Sequence, residues 1–184
     1  MDSELLTQIK AYALSNEDIN TILEPDTKIF TYPSFCQMDS INESFDSLGR
    51  CIFLFLTEND TTGHWLCMFK SKENVLYYFD PYGEKPEAQR KWLSQEQLDA
   101  LGEGEPCLMN LLKESGYKVY SNAVPYQKDK KDLNTCGRWC VARLVCKDMT
   151  DKQFFNLVKK EMKDKGIKTP DDWVALFTYD ILGK

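Results

Sequence analysis

Histidine is almost missing from this chain. His64 is the sole imidazole in 184 residues, so any imidazole chemistry must run through it. Long apolar runs are missing too. Nothing approaches the roughly 18 consecutive apolar residues that cross a bilayer as a helix, so no membrane partner is expected. Positive charge is in deficit, with 23 Lys and Arg against 29 Asp and Glu and a net charge of -6. Phosphate binding needs a basic face, so nucleic acid is not an expected partner. The lysines of "QKDKK" and "KDKGIK" alternate with acids and read as solvated faces. No repeat, low-complexity segment or interdomain linker stands out. The residues "MDSELLTQIKAYALSNEDIN" are polar and helical in pattern, unlike a secretory leader.

Paired metal-ligand motifs are also absent. "NTCGRWC" spaces Cys136 and Cys140 by three residues, and no CxxC or HxxxH pair accompanies them. With one histidine, a structural zinc would need cysteines gathered from buried strands. No metal or other cofactor is therefore expected. The cysteines are Cys36, Cys51, Cys67, Cys107, Cys136, Cys140 and Cys146. Their odd number fits free thiols in a reducing intracellular compartment, most of them inert packing residues.

What is present reads as one α+β domain over residues 1–184. Hydrophobic residues make up 42%, which suits a packed core. Residues 1–48 hold two helical stretches and the extended, Pro-broken "EPDTKIFTYPSF", a candidate edge strand. Residues 50–146 form the central part. "CIFLFL" suits a strand buried on both faces, and "HWLCMFK" and "VLYYFD" flank "SKEN" as a hairpin. "SQEQLDAL" and residues 108–115 read as helices, and "YKVYSNA" as a strand. "CGRWCVARLVCK" is apolar except for Arg138 and Arg143, as a helix in the middle of the core would be. Residues 150–184 hold two helices, the first opened by a Thr150–Gln153 capping box and closed by Gly166. The expected architecture is a small antiparallel or mixed central sheet packed between helices.

Chemistry collects at one end of that sheet. His64 begins one hairpin strand and Asp80 ends the next, so both fall at the same edge. A four-residue connection pairs 70 with 75 and 64 with 81; a connection one residue longer or shorter is expected to bring Asp80 opposite His64. Asp80 is equally a turn residue of "DPYG". Cys136 follows the loop-like "DLNT" and opens the apolar helix, where free N–H groups and the helix dipole favour a thiolate. Gly137 leaves room beside it for a substrate backbone. Cys140, one turn further on, reads as packing.

"GHW", "FDPYG", Gln127 and "TCGRWC", in that order, resemble the adenovirus-protease and ubiquitin-like-protein-protease superfamily, and among its members the proteases of large DNA viruses and virus-like mobile elements. The matching motifs run from about residue 50 to 146. The resemblance implies a papain-like core with the nucleophile at the start of a buried central helix. It implies Cys136 as nucleophile, His64 as general base and Asp80 as the partner that orients it. It also implies an oxyanion hole from Gln127 and the Cys136 N–H, and a substrate cleft walled by Trp65 and Gly137. Gln127 lies nine residues before Cys136, further than is usual in the family.

The implied activity is cleavage of polypeptides after Gly-containing motifs, as in viral polyprotein maturation. A deubiquitinase or SUMO-type isopeptidase is the alternative. An acetyltransferase of the same superfamily and an inactive binding module stand behind it. The implied place is the cytoplasm or nucleus of a host, with packaging in virions. Adenain's DNA and disulfide-linked peptide activators are not carried over: the acidic charge balance opposes DNA, and Cys107 does not match the linking cysteine.

Overall fold

The computed structural model describes residues 3–23, 26–71, 74–128 and 133–182. The part of "QKDKK" after Lys128, and the middle of "SKEN", lie outside the described residues. In chain order come α1 (Ser3–Ala11), α2 (Asn16–Leu23), β1 (Lys28–Thr31), β2 (Arg50–Asn59), β3 (Thr62–Lys70) and β4 (Val75–Phe79). Then follow α3 (Gln95–Ala100), α4 (Cys107–Glu114), β5 (Lys118–Ser121), α5 (Cys136–Val145), α6 (Asp151–Lys165) and α7 (Pro170–Leu182). Short 3-10 turns occupy Tyr32–Gln37, Ile41–Ser44 and Ala88–Trp92.

The fold is α+β. Its five-stranded sheet runs β1-β2-β3-β4-β5 and is mixed. β2, β3 and β4 are antiparallel, while the four-residue strands β1 and β5 pair in parallel along the outer edges. Such parallel edges need long crossovers. Here the 3-10 turns supply one, and α3 and α4 the other.

Alternation along the strands divides the core. Ile52, Leu54, Trp65, Cys67 and Phe79 face a cluster built on α5, with Ile19, Phe154 and Trp173 behind it. Phe53, Phe55, Leu66, Met68 and Tyr78 face the other cluster, closed by Tyr32, Phe35, Leu98 and Leu108. The sheet is thus covered on both sides, which is why β2 is buried from Arg50 to Leu56.

α5 is the buried centre: every residue from Cys136 to Leu144 is buried, both arginines included. Arg143 lies over the rings of Phe69, Tyr77 and Phe154 at 4.6, 5.6 and 5.2 Å and donates to the carbonyls of Cys146 and Met149. It ties the helix's exposed carbonyl end to the next turn, where a cation is favoured.

The structure corrects the expectation of free thiols at one pair. Cys36 and Cys107 form a disulfide across 71 residues. The 3-10 turn Tyr32–Gln37 packs against the start of α4 and brings their Cα atoms to 5.0 Å. Cys51, Cys67, Cys136, Cys140 and Cys146 are free.

The hairpin register also departs from expectation. The ladder opens at Lys70 and Leu76, and Ser71 N–H donates to the Val75 carbonyl. Continued past Phe79, it sets Asp80 across from Leu66 rather than His64. That diagonal step keeps Asp80 on the same face as His64, within reach of its ring.

Candidate active site

Asp80 ends β4 in a tight turn, with Gly83 N–H donating to the Asp80 carbonyl at 2.8 Å. Asp80 is thus a turn residue of "DPYG", and its side chain also reaches His64. Its side chain is fully buried, and each carboxylate oxygen is matched. Oδ1 meets His64 Nε2 at 2.8 Å and accepts the Tyr82 N–H at 2.8 Å. Oδ2 accepts the Gln89 amide at 2.6 Å and the Glu84 N–H at 3.3 Å. Asn122, just past β5, brackets the Asp80 backbone: it accepts the N–H at 3.0 Å and donates to the carbonyl at 2.7 Å. A buried carboxylate so completely paired cannot turn away from the imidazole.

His64 is held from more than one side. Tyr82 stacks on its ring at 4.6 Å and 8°, and Trp92 packs edge-on at 5.4 Å. Since Nε2 is engaged with Asp80, Nδ1 is the ring nitrogen left for Cys136. Burial opposes the charged ring, but the hydrogen bonds to Asp80 and Cys136 and their negative charge outweigh it. They hold the imidazolium to a pKa of about 9.

Cys136 is the first residue of α5 and keeps 9% of its surface exposed. Burial alone would raise its thiol pKa. Hydrogen bonding and charge from His64, with the N–H groups of Trp65 and Gly137, bring it below the ordinary thiol value. The two shifts point the same way, toward a thiolate–imidazolium pair.

Cys140 is fully buried, and its thiol donates to the Trp65 carbonyl at 3.3 Å. Burial and the neighbouring Cys67 push its pKa well up, so it is a packing thiol. Cys140→Ala is expected to cost on the order of 1 kcal/mol in stability and to leave Cys136 reactivity within about twofold. A folded Cys140→Ala protein with unreactive Cys136, checked by peptide mass mapping after alkylation, contradicts this assignment.

Cys136 opens onto a cleft of about 510 Å³. Its walls are the α1–α2 turn from Ala13 to Asn16, Phe30 and Thr31 of β1, the β2–β3 turn from Asp60 to Gly63, and Trp65. Trp65 lines this cleft. Gly137 does not: a Cβ there would lie 3.0 Å from the Trp65 ring and 3.4 Å from Leu14 Cβ. Its missing side chain lets Trp65 and Leu14 close on the helix start instead of making room for a substrate backbone.

Gln127 is buried beside these groups. Its amide donates to the Leu133 carbonyl at 3.1 Å and to the Tyr82 hydroxyl at 3.4 Å, so it joins the site through the tyrosine stacked on His64. Tyr126 and Gln127 both donate backbone N–H groups to the Pro81 carbonyl. Asp171 of α7 then ties the two ends of the intervening loop. It accepts from Lys128 N–H at 3.2 Å and from the Thr135 hydroxyl at 2.7 Å. That clamp accommodates the long spacing between Gln127 and Cys136.

The sequence reading missed Tyr82, Gln89, Trp92, Asn122 and Asp171. Tyr82 sits within "DPYG", which marked the turn but not the stacking; Gln89 and Trp92 follow in a polar stretch with no motif, and Asn122 and Asp171 lie far along the chain. Among the described residues no group of three or more His, Cys, Asp or Glu side chains is arranged to hold a metal ion, and no helix is long and apolar enough to cross a membrane.

No protein-family model matches the chain. Among solved structures, the central domain of the uncharacterized Lpg1148 protein from Legionella pneumophila is 15% identical with a TM-score of 0.41, covering 94% of this chain and 99% of that one. That likeness is too distant to bear on fold or function. A protein of Sputnik virophage, "Uncharacterized protein V9", is 32% identical over 176 residues, covering 94% of this chain and 99% of the viral protein. The chain belongs to the same family as this virophage protein.

Proposed function

We propose that the chain is a cysteine endopeptidase of the adenain-like type, acting through Cys136, His64 and Asp80. The observation that carries this reading is the contact chain Asp80–His64–Cys136: Asp80 Oδ1 lies 2.8 Å from His64 Nε2, and the same buried ring hydrogen-bonds Cys136 at the start of α5. A merely structural thiol would show the upward shift seen at Cys140.

The chemistry follows from the placement. The Cys136 thiolate attacks a peptide carbonyl in the cleft. The developing oxyanion is met by the Cys136 N–H and by the Gln127 amide once it turns from Leu133; one such donor is worth about 10²–10³ in rate. The imidazolium of His64 gives its proton to the leaving amine, and water then hydrolyses the thioester with His64 as base. Asp80 keeps the ring oriented and its charge compensated throughout.

A preference for Gly-containing sites is what the resemblance to this superfamily implies. Kinship with a virophage protein supports polyprotein maturation, within infected cells or virions, over removal of ubiquitin-like tags. Cleavage profiling on a diverse peptide library tests the reading, run beside covalent traps bearing ubiquitin and SUMO C-termini. Cleavage after Gly-containing sites with no trap reaction is expected. Trapping of Cys136 by a ubiquitin-like tail moves the assignment to the isopeptidase alternative, and silence in both assays overturns it.

A further inference from the structure

The 3-10 turn Ala88–Trp92 touches both members of the Asp80–His64 pair. Gln89 is fully buried and donates its amide to Asp80 Oδ2 at 2.6 Å, while its carbonyl oxygen accepts from the Tyr78 hydroxyl at 3.3 Å. An ionised carboxylate only accepts hydrogen bonds, so the NH₂ side must face Asp80. Three residues on, the Trp92 ring packs edge-on against His64. Between them, Arg90 fixes the turn by donating to the carbonyls of Glu103, Gly104 and Glu105. The turn thus works as a bracket, with one side chain on each catalytic partner and a guanidinium tying it to the α3–α4 connection.

Resting on the protease reading above, we propose that Gln89 is a positioning residue: it holds the Asp80 carboxylate so that Oδ1 stays aimed at His64. A neutral donor suits this task. It pins one oxygen without adding a cation that would compete with the imidazolium for the same carboxylate. Without it, Oδ2 keeps only the Glu84 N–H at 3.3 Å, and the carboxylate is freer to rotate about its bond to Cβ. The titratable groups that sense Asp80 are His64 on β3, Tyr78 on β4 and Cys140 on α5, and Cys136 reaches it through the imidazole. Each belongs to an element that the bracket leaves in place.

The test needs no substrate. The rate of Cys136 alkylation by iodoacetamide is followed from pH 4 to 10 in the full chain, resolved by peptide mass mapping, for wild type, Gln89→Leu and Tyr78→Phe. Gln89→Leu is expected to move the acidic limb of the profile up by about one pH unit, a tenfold loss of rate below that limb. Tyr78→Phe removes the other hydrogen bond of Gln89 but leaves its amide on Asp80. It is expected to lower the melting temperature without moving the limb. If Gln89→Leu does not fold, Gln89→Met, with its adaptable thioether, takes its place. An unmoved limb in a folded Gln89 variant overturns the positioning role while the protease reading stands. A wild-type profile like that of an ordinary thiol overturns both.

Discussion

Cys136→Ala is expected to abolish turnover while the protein stays folded. The thiol opens onto the cleft and hydrogen-bonds the imidazole. Removing a nucleophile from a working triad costs about 10⁴-fold or more in kcat. The same change is mild for the fold. It deletes one sulfur atom at a helix start and puts in a residue of high helix propensity, so stability should move by no more than about 1 kcal/mol. Turnover of a peptide cleaved by wild type, with a thermal melt, separates the two effects. A folded variant that keeps more than a few per cent of wild-type turnover places the nucleophile elsewhere.

Gly63→Ala is expected to damage both stability and site. Gly63 pairs with Leu56 at the start of β3, immediately before His64. A Cβ at Gly63 would sit 1.9 Å from the Phe55 carbonyl oxygen and 2.7 Å from its carbon. Both are backbone atoms, so no side chain can swing away and the strands must part. Phe55 is also the ladder partner of His64, so the displacement reaches the imidazole directly. Overpacking of this kind costs about 3 kcal/mol, or roughly 10 °C in melting temperature for a chain of this size. The Cys136 alkylation advantage at neutral pH should fall with it. A variant melting within a degree of wild type and alkylating at the same rate contradicts the close approach of β2 and β3.

The residues that carry local signals were legible in the sequence. The apolar stretch from Cys136, interrupted only by Arg138 and Arg143, marked a buried helix. The Thr150–Gln153 capping box is formed, and Gly166 ends α6 with φ at 65°. His64 and Asp80 were placed at one sheet end because a hairpin leaves little choice. Their register was not legible, since it turns on the length of a polar connection that carries no packing signal. The parallel pairing of β1 and β5 was hidden for another reason. Strands of four residues take their direction from the crossovers, and those here are built of 3-10 turns and short helices.

The supporting contacts were the least legible part. Asp171 meets Thr135 across 36 residues and Asn122 meets Asp80 across 42, and neither spacing means anything until the chain is folded. The Cys36–Cys107 bridge belongs to the same class, because connectivity does not follow from cysteine spacing. Gly137 shows the opposite error. A glycine beside a nucleophile was read as space for substrate, whereas the chain uses that space to seat Trp65.

The pH dependence of Cys136 alkylation, in wild type and in His64→Ala, tests the central claim most directly. In wild type the thiol pKa lies below its ordinary value, so reactivity should appear below the ordinary thiol range and persist as a thiolate plateau at higher pH. In His64→Ala the main influence lowering the thiol pKa is gone, while burial, which raises it, and the N–H groups of Trp65 and Gly137 remain. The profile should then shift to higher pH. A wild-type limb near pH 9 that His64→Ala leaves unmoved would contradict the thiolate–imidazolium pair, and with it the assignment of Cys136 as nucleophile.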